Sequence, residues 1–257
     1  MGRIADCEFL FIQIQGLISD FCFSHQNPLI IMTITYYGQS CFGMNLYGKD
    51  ILFDPFITPN DLAKDVNVDD IPADYILITH AHFDHTADVE KIADRTKAKI
   101  VSNWEICGYY EEKGYEVQKM NHGGQYSFDF GNVRYVAAVH TSSFQDGTYG
   151  GNPGGFVIWG DNYSFYHAGD TALTMDMKLI PMTCPKLNFA IFPIGDVVTM
   201  GIQDAVTAAE FVGVNKVIGC HFDTFPFLKI NHDVARQAFS NKQKELVLPE
   251  IGKPFTV

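Results

Sequence analysis

Residues 80–85 read His-Ala-His-Phe-Asp-His, directly after the apolar run Tyr75-Ile76-Leu77-Ile78-Thr79. Four metal-competent side chains therefore fall within six residues, at the end of a segment with the composition of a buried strand. Imidazoles suit zinc and other first-row metals, and a carboxylate adds charge and can hold a second ion. An amphipathic stretch from Thr86 to Arg95 follows. The cluster thus lies between a strand and a helix, where α/β folds place their chemistry.

Three further apolar runs end in candidate ligands. Residues 134–139 lead to His140. Residues 163–166 lead through His167 to Gly169-Asp170-Thr171. Residues 216–220 lead to His221. This ordered set (HxHxDH, a lone His, Gly-Asp-Thr, a final His) resembles the metallo-β-lactamase superfamily. Residues 149–156, 166–171, and 193–196 with 199–201, resemble more closely its poorly characterised branch of metal-dependent hydrolases. The resemblance runs from about Met32 to the end of the chain.

The resemblance implies an α/β fold, a four-layer αβ/βα sandwich with the metal site at one edge of two packed sheets. It implies two divalent metal ions, zinc first, with manganese, iron or nickel compatible with the same ligands. His80, His82 and His140 would hold one ion, Asp84, His85 and His221 the other, and Asp170 would bridge them, which makes Asp84 and Asp170 the catalytic carboxylates. A redox diiron relative generally carries an acidic residue in place of the second histidine of the motif, so His82 argues against that chemistry. Gln39 is a departure, since many relatives carry histidine there. Five neutral imidazoles and two carboxylates around two dications leave a net charge of about +2. A hydroxide bridging such ions is a nucleophile at neutral pH. The site would attract a polar or anionic substrate and stabilise a developing oxyanion.

Other residues carry weaker signals. Asp54, before Pro55 at a strand end, is either a carboxylate that orients a ligand histidine or a plain turn aspartate. His167 reads as support for the site or as a satisfied strand histidine. Asp196 follows a strand end at the site's edge and is a candidate for contact with ligands or substrate. Tyr149 and residues 150–155 are expected to form a turn or a flexible rim, with no phosphate-binding loop. His25, His122 and His232 match no ligand pattern. Cys220 adjoins His221 on a strand, so the two should face opposite sides, which gives Cys220 a core role.

The elements that must position these residues follow from composition and period. Strands are expected over 33–37, 41–46, 50–53, 75–79, 99–102, 117–119, 125–130, 132–138, 155–159, 163–166, 188–192 and 216–219. Helices are expected over 86–95, 104–113, 172–180, 203–212 and 233–242. A strand-turn-Asp pattern recurs at Phe53-Asp54 and at Gly169-Asp170, a hint of internal duplication.

The chain has 257 residues, 47% hydrophobic and 14% aromatic, which fits one compact enzyme domain over residues 32–257. Residues 1–31 read as an N-terminal extension of uncertain status. Their apolar stretch is interrupted by Gln13, Gln15 and Asp20 and lacks the features of a secretory signal. No window has the length of a membrane span. A net charge of -12 and four unclustered arginines argue against a nucleic-acid partner. Six cysteines without metal-site spacing suit a reducing, cytoplasmic setting. The sequence therefore points to a metal-dependent hydrolase cleaving a small polar or anionic ester, lactone or amide, with a homo-oligomer compatible. The alternatives are a phosphodiesterase or nuclease of the same superfamily and a non-catalytic metal-binding protein.

Overall fold

The computed structural model describes residues 32–257, so the reading of residues 1–31 as an extension lies outside the described residues. Six strands come first: β1 (Thr33–Gly38), β2 (Cys41–Leu46), β3 (Lys49–Phe53), β4 (Tyr75–Leu77), β5 (Lys99–Asn103) and β6 (Val117–Met120). Seven follow: β7 (Gln125–Phe128), β8 (Gly131–Ala137), β9 (Gly154–Trp159), β10 (Ser164–His167), β11 (Phe189–Pro193), β12 (Lys216–Cys220) and β13 (Glu245–Val247). The last, β14 (Pro254–Thr256), returns to the edge of the first sheet. The helices are α1 (Phe83–Thr86), α2 (Val89–Thr96), α3 (Trp104–Glu112), α4 (Ile180–Thr183), α5 (Ile202–Val212) and α6 (His232–Ser240).

The strands form two seven-stranded sheets of matching design, β14-β1-β2-β3-β4-β5-β6 and β7-β8-β9-β10-β11-β12-β13. In each, the first four strands pair antiparallel and the rest parallel. The strand-turn-Asp repeat has a topological meaning here. Asp54 follows β3 and Asp170 follows β10, and these strands occupy equivalent places in the two sheets.

Alternation within the strands builds four layers. Leu77, Val101, Ile191 and Ile218 meet Phe53, Phe156 and Phe165 between the sheets. Their neighbours Ile76 and Ile100 face outward against Ile92 and Ala93 of α2 and Ile106 and Tyr110 of α3. On the other side Ala190, Phe192 and Val217 pack against Ala205, Ala209 and Val212 of α5 and Phe239 of α6. Strands covered on both faces read as continuous apolar runs, as Phe189–Pro193 does. This is the αβ/βα sandwich of the metallo-β-lactamase type.

Local differences from the sequence reading have identifiable causes. The helix expected over 86–95 begins earlier, as a first turn at Phe83–Thr86, and resumes at Val89. Asp84 and His85 therefore sit on helical backbone. The helix expected over 172–180 is a 3-10 turn, Met175–Leu179, followed by the single turn of α4. Strands β13 and β14 were too short to show in the sequence pattern. The glycine run 150–155 is no flexible rim. Asn103 donates to the carbonyls of Gly150 (2.8 Å) and Asn152 (3.1 Å), and Ser142 Oγ donates to Gly150 O at 2.9 Å. A Cβ on Gly150 would lie 2.3 Å from Ala81 Cβ, so this segment packs directly against the histidine motif.

Candidate metal centre

Strand β4 ends at Leu77, and the chain then turns across the sheet edge, delivering His80 and His82 before α1 carries Asp84 and His85. His140 follows β8, Asp170 follows β10, and His221 follows β12 immediately. Two groups result. Ligand atoms of His80, His82 and His140 lie within 4.8 Å of one another, and so do those of Asp84, His85, Asp170 and His221. Asp170 joins the groups. Its Oδ2 lies 2.9 Å from His221 Nε2, 3.3 Å from His85 Nε2, 3.7 Å from His140 Nε2 and 4.0 Å from His80 Nε2.

Buried partners fix the imidazoles. Asp54 is fully buried, and its Oδ2 accepts from His85 Nδ1 at 3.0 Å and from the Thr79 hydroxyl at 2.7 Å. The Thr79 oxygen in turn faces His80 Nδ1 at 3.1 Å. A carboxylate only accepts, so these contacts place protons on both Nδ1 atoms and leave both Nε2 lone pairs for the site. His82 has the opposite arrangement. Its Nε2 faces Thr141 Oγ1 at 3.2 Å, and its Nδ1 lies 3.0 Å from His80 Nε2. Asp54 thus makes the contact expected of a carboxylate that orients a histidine, and it reaches both groups. Its left-handed backbone (φ 43°) suits Asp or Asn.

Gln39, on the turn between β1 and β2, is fully buried and donates through Nε2 to Asp84 Oδ2 at 2.8 Å. Its carbonyl accepts the His221 N–H at 2.7 Å. Gly195 also serves His221, since a Cβ there would stand 2.0 Å from the His221 carbonyl oxygen.

His167 and Asp196 lie apart from these groups. The His167 ring accepts from Gly169 N–H at 3.1 Å, faces the Ser40 carbonyl at 3.3 Å, and stacks on Phe53. It shapes the turn into Asp170 as a satisfied core histidine. Asp196 is exposed and caps its own turn through Val197 N–H at 2.8 Å. Cys220 is buried between the sheets, away from both groups. His122 bonds the Pro153 carbonyl and His232 pairs with Asp223, while His25 lies outside the described residues. The sequence reading passed over Thr79, Thr141 and Asp88. Asp88 accepts from the N–H groups of Ile57 and Thr58 at 2.6 and 2.8 Å and so fixes the loop after Asp54. A hydroxyl between an apolar run and His80 was the available signal for Thr79. Nothing local marks Thr141 or Asp88.

The electrostatics suit cations. Burial lowers the pKa values of His80, His82 and His140, which keeps that group neutral and able to donate lone pairs. In the second group burial opposes charge, yet the carboxylates outweigh it. Asp170, Asp84 and Asp54 raise His85 well above its ordinary value, and Asp170 takes His221 up to about 9. Burial likewise works against the ionised carboxyls of Asp84 and Asp170, and His85 and His221 hold both well below the usual range. The carboxylates that raise these two histidines present negative charge that a dication at the same place would balance. His85 Nε2 and Asp170 Oδ1 are buried without a hydrogen-bond partner, an expensive condition that coordination relieves. The donor set therefore fits divalent metal.

The groups open into a cavity of about 350 Å³ lined by His82, Asp84, His140, Asp170 and His221 together with Phe83, Val198, Phe225, Phe227 and Leu228. Among the described residues no helix is long and apolar enough to cross a membrane.

Comparison with known proteins agrees with this geometry. A family model described as a beta-lactamase superfamily domain matches residues 33–221. A UPF0173 metal-dependent hydrolase of Christiangramia forsetii is 57% identical, over 86% of this chain and 98% of its own length. One from Flavobacterium johnsoniae is 53% identical with the same coverage. Among solved structures, Igni18, described as a novel metallo hydrolase from Ignicoccus hospitalis, is 32% identical with a TM-score of 0.80. The match covers 88% of this chain and 98% of that one.

Proposed function

The chain belongs to the UPF0173 metal-dependent hydrolases of the β-lactamase superfamily, and from that footing we propose that it hydrolyses an ester, lactone or amide of a small molecule in the cavity beside Asp170. The observation that carries this reading is the position of Asp170 Oδ2, within 4.0 Å of the Nε2 atoms of four histidines from both groups. Two divalent ions are the proposed complement, zinc first given the imidazole-rich donors. His80, His82 and His140 would hold one, Asp84, His85 and His221 the other, with Asp170 shared. Such ions supply Lewis acidity and make water nucleophilic at neutral pH.

The chain's own residues supply the geometry. Asp54 and Thr79 hold His80 and His85 in one tautomer and one orientation, so little reorganisation accompanies reaction. Gln39 engages Asp84 Oδ2. Asp84 lines the cavity, and its carboxylate is the proposed acceptor of the proton released when water adds to the substrate carbonyl, returning it to the leaving oxygen or nitrogen as the acyl bond breaks. A substrate seated against the apolar residues would displace water from the site and so strengthen its electrostatics. A phosphodiester is the weaker candidate, because no Lys or Arg lines the cavity. A cytoplasmic setting and a small-molecule partner are part of the same proposal.

The test is turnover by metal-loaded protein across lactones, aryl esters, anilides and bis(p-nitrophenyl) phosphate, with Asp170→Ala as control. Metal-dependent cleavage of acyl substrates, lost in the variant, is expected. Cleavage of the phosphodiester alone would replace the proposal with the phosphodiesterase reading. No turnover from protein holding two ions would favour a non-catalytic metal-binding role.

A further inference from the structure

The wall facing the ligand groups is built of aromatic rings in contact. Phe83 meets Phe56 at 5.8 Å between ring centroids, Phe56 meets Phe225 at 6.3 Å, and Phe225 stacks on Phe227 at 5.7 Å with the planes 6° apart. Phe56 is buried and anchors the row, whereas Phe83 and Phe227 are 41% and 56% exposed, and Val198, which also lines the cavity, is 44% exposed. Large apolar side chains left in water around one cavity mark a surface that meets an apolar ligand.

The segment presenting Phe225 and Phe227 is firmly held. The Asp223 carboxylate accepts the Ile230 N–H at 3.0 Å and faces His232 Nε2 at 2.7 Å. Asp223 N–H donates to Leu228 O, and Leu228 N–H to Phe225 O, both at 2.9 Å. The segment starts at His221 itself, so the aromatic wall and a candidate ligand share one short stretch of chain. Exposure of Phe227 is therefore imposed by a hydrogen-bonded loop.

The charged side chains lining the cavity, apart from histidine, are Asp84 and Asp170, with no Lys or Arg. A carboxylate or phosphate carried on the substrate away from the reacting carbonyl would lie against phenyl rings and lose its hydration without a partner. An ammonium group would lose hydration likewise, and contact with the ring faces would offset only part of that loss.

We propose that the cavity selects an uncharged acyl compound whose apolar substituent, a short alkyl chain or a ring, lies against Phe83, Phe225 and Phe227 while its carbonyl faces Asp84 and Asp170. This rests on the hydrolase reading above and narrows it, replacing a polar or anionic substrate with one that is apolar beyond the reacting bond. A cavity of about 350 Å³ stands at the small end of the range for ligand pockets, roughly 300–1,000 Å³, which limits the substituent to a short one.

Two measurements on the metal-loaded protein test it. The first compares kcat/KM for p-nitrophenyl acetate, butyrate and hexanoate with the adipate half-ester and the 6-aminohexanoate ester. Specificity should rise about two- to fourfold per methylene from acetate to hexanoate. Either charged ester should fall at least tenfold below hexanoate. Phe227→Ala should lower kcat/KM for hexanoate at least threefold more than for acetate. The second measures calorimetric binding of hexanohydroxamate and acetohydroxamate. The longer probe should bind at least tenfold tighter, with the difference reduced in Phe227→Ala. Esters cleaved without chain-length preference, or a charged ester equal to hexanoate, would overturn the apolar substituent and leave the hydrolase reading standing. Absence of ester cleavage together with a tenfold preference for hexanohydroxamate would overturn the ester substrate and leave the apolar pocket standing. Equal binding of the two hydroxamates would overturn the pocket whatever the esters do.

Discussion

Asp54 Oδ2 lies 3.0 Å from His85 Nδ1, and both side chains are fully buried. The same oxygen accepts from the Thr79 hydroxyl, which reaches His80. One carboxylate at the end of β3 therefore sets the ring orientation of a histidine in each of the two groups. Asp54 also accepts the Thr79 backbone N–H at 2.8 Å through Oδ1, so three donors converge on two oxygens.

Asp54→Asn keeps the shape and suits the left-handed backbone, but its amide nitrogen must face a donor. Metal affinity should fall roughly 10–100-fold, as for other partners of ligand histidines, measured by competition with a chelator while the circular dichroism spectrum stays native. Asp54→Ala should in addition destabilise the fold by roughly 2–5 kcal/mol, because buried donors lose their acceptor. Equal metal affinity in wild type and Asp54→Asn would remove Asp54 from the site.

Gln39→Leu removes the N–H that holds Asp84 at 2.8 Å. A hydrogen bond to a charged group contributes about 1.5–3 kcal/mol, so binding of the second ion should weaken by about tenfold or more. The first ion should be less affected, since His80, His82 and His140 do not touch Gln39. Stepwise metal titration separates the two. An unchanged second step would show that the Gln39 amide is only packing.

Asp170→Asn removes the negative charge that the two groups share and keeps the size of the side chain. Turnover should drop roughly a hundredfold or more, and the bound-metal stoichiometry, read by elemental analysis after gel filtration, should fall. Full activity would place the chemistry elsewhere.

Metal removal should lower thermal stability, because ions bind the folded site and not the unfolded chain. At a thousandfold excess over Kd the stabilisation is about 4 kcal/mol. For a chain of this size that corresponds to roughly 8–16 °C in Tm. Calorimetry of chelator-treated and reconstituted protein checks this, and an identical Tm in both would contradict a site formed by folding.

Thiol reactivity should follow burial and its effect on ionisation. Burial pushes the Cys107 thiol up to about 12, and the Cys41 and Cys220 thiols well above their ordinary value, while half-buried Cys184 is raised as well. Thiolate grows as pH rises towards the pKa, so at pH 8 the buried thiols are almost wholly protonated and inert. In a Cys7→Ser/Cys22→Ser background, Cys184 should react first with iodoacetamide, faster at pH 9 than at pH 8. Mass spectrometry identifies the site. Earlier labelling of Cys107 would mean that α3 opens.

The sequence by itself determined the donor types, their order, and the strands that carry them. Runs such as Ile76–Ile78 and Val217–Cys220 declare buried strands through composition, and His80, His82, Asp84 and His85 are neighbours along the chain, so local reading sufficed. Tertiary structure decided which donors come together in space. Asp170 meets His80 and His221 only because β10, β11 and β12 run in succession in one sheet while Leu77 of β4 packs against Ile191 and Ile218 from the other. Asp54 was ambiguous in sequence because an aspartate before proline looks the same whether or not a histidine later folds onto it. The apolar wall was likewise invisible. Phe56, Phe83 and Phe225 are ordinary hydrophobic residues along the chain, and only packing brings their rings together beside the ligand groups. Local pattern reports what each segment buries, and contacts between segments distant in sequence are fixed by the two sheets closing over their shared core.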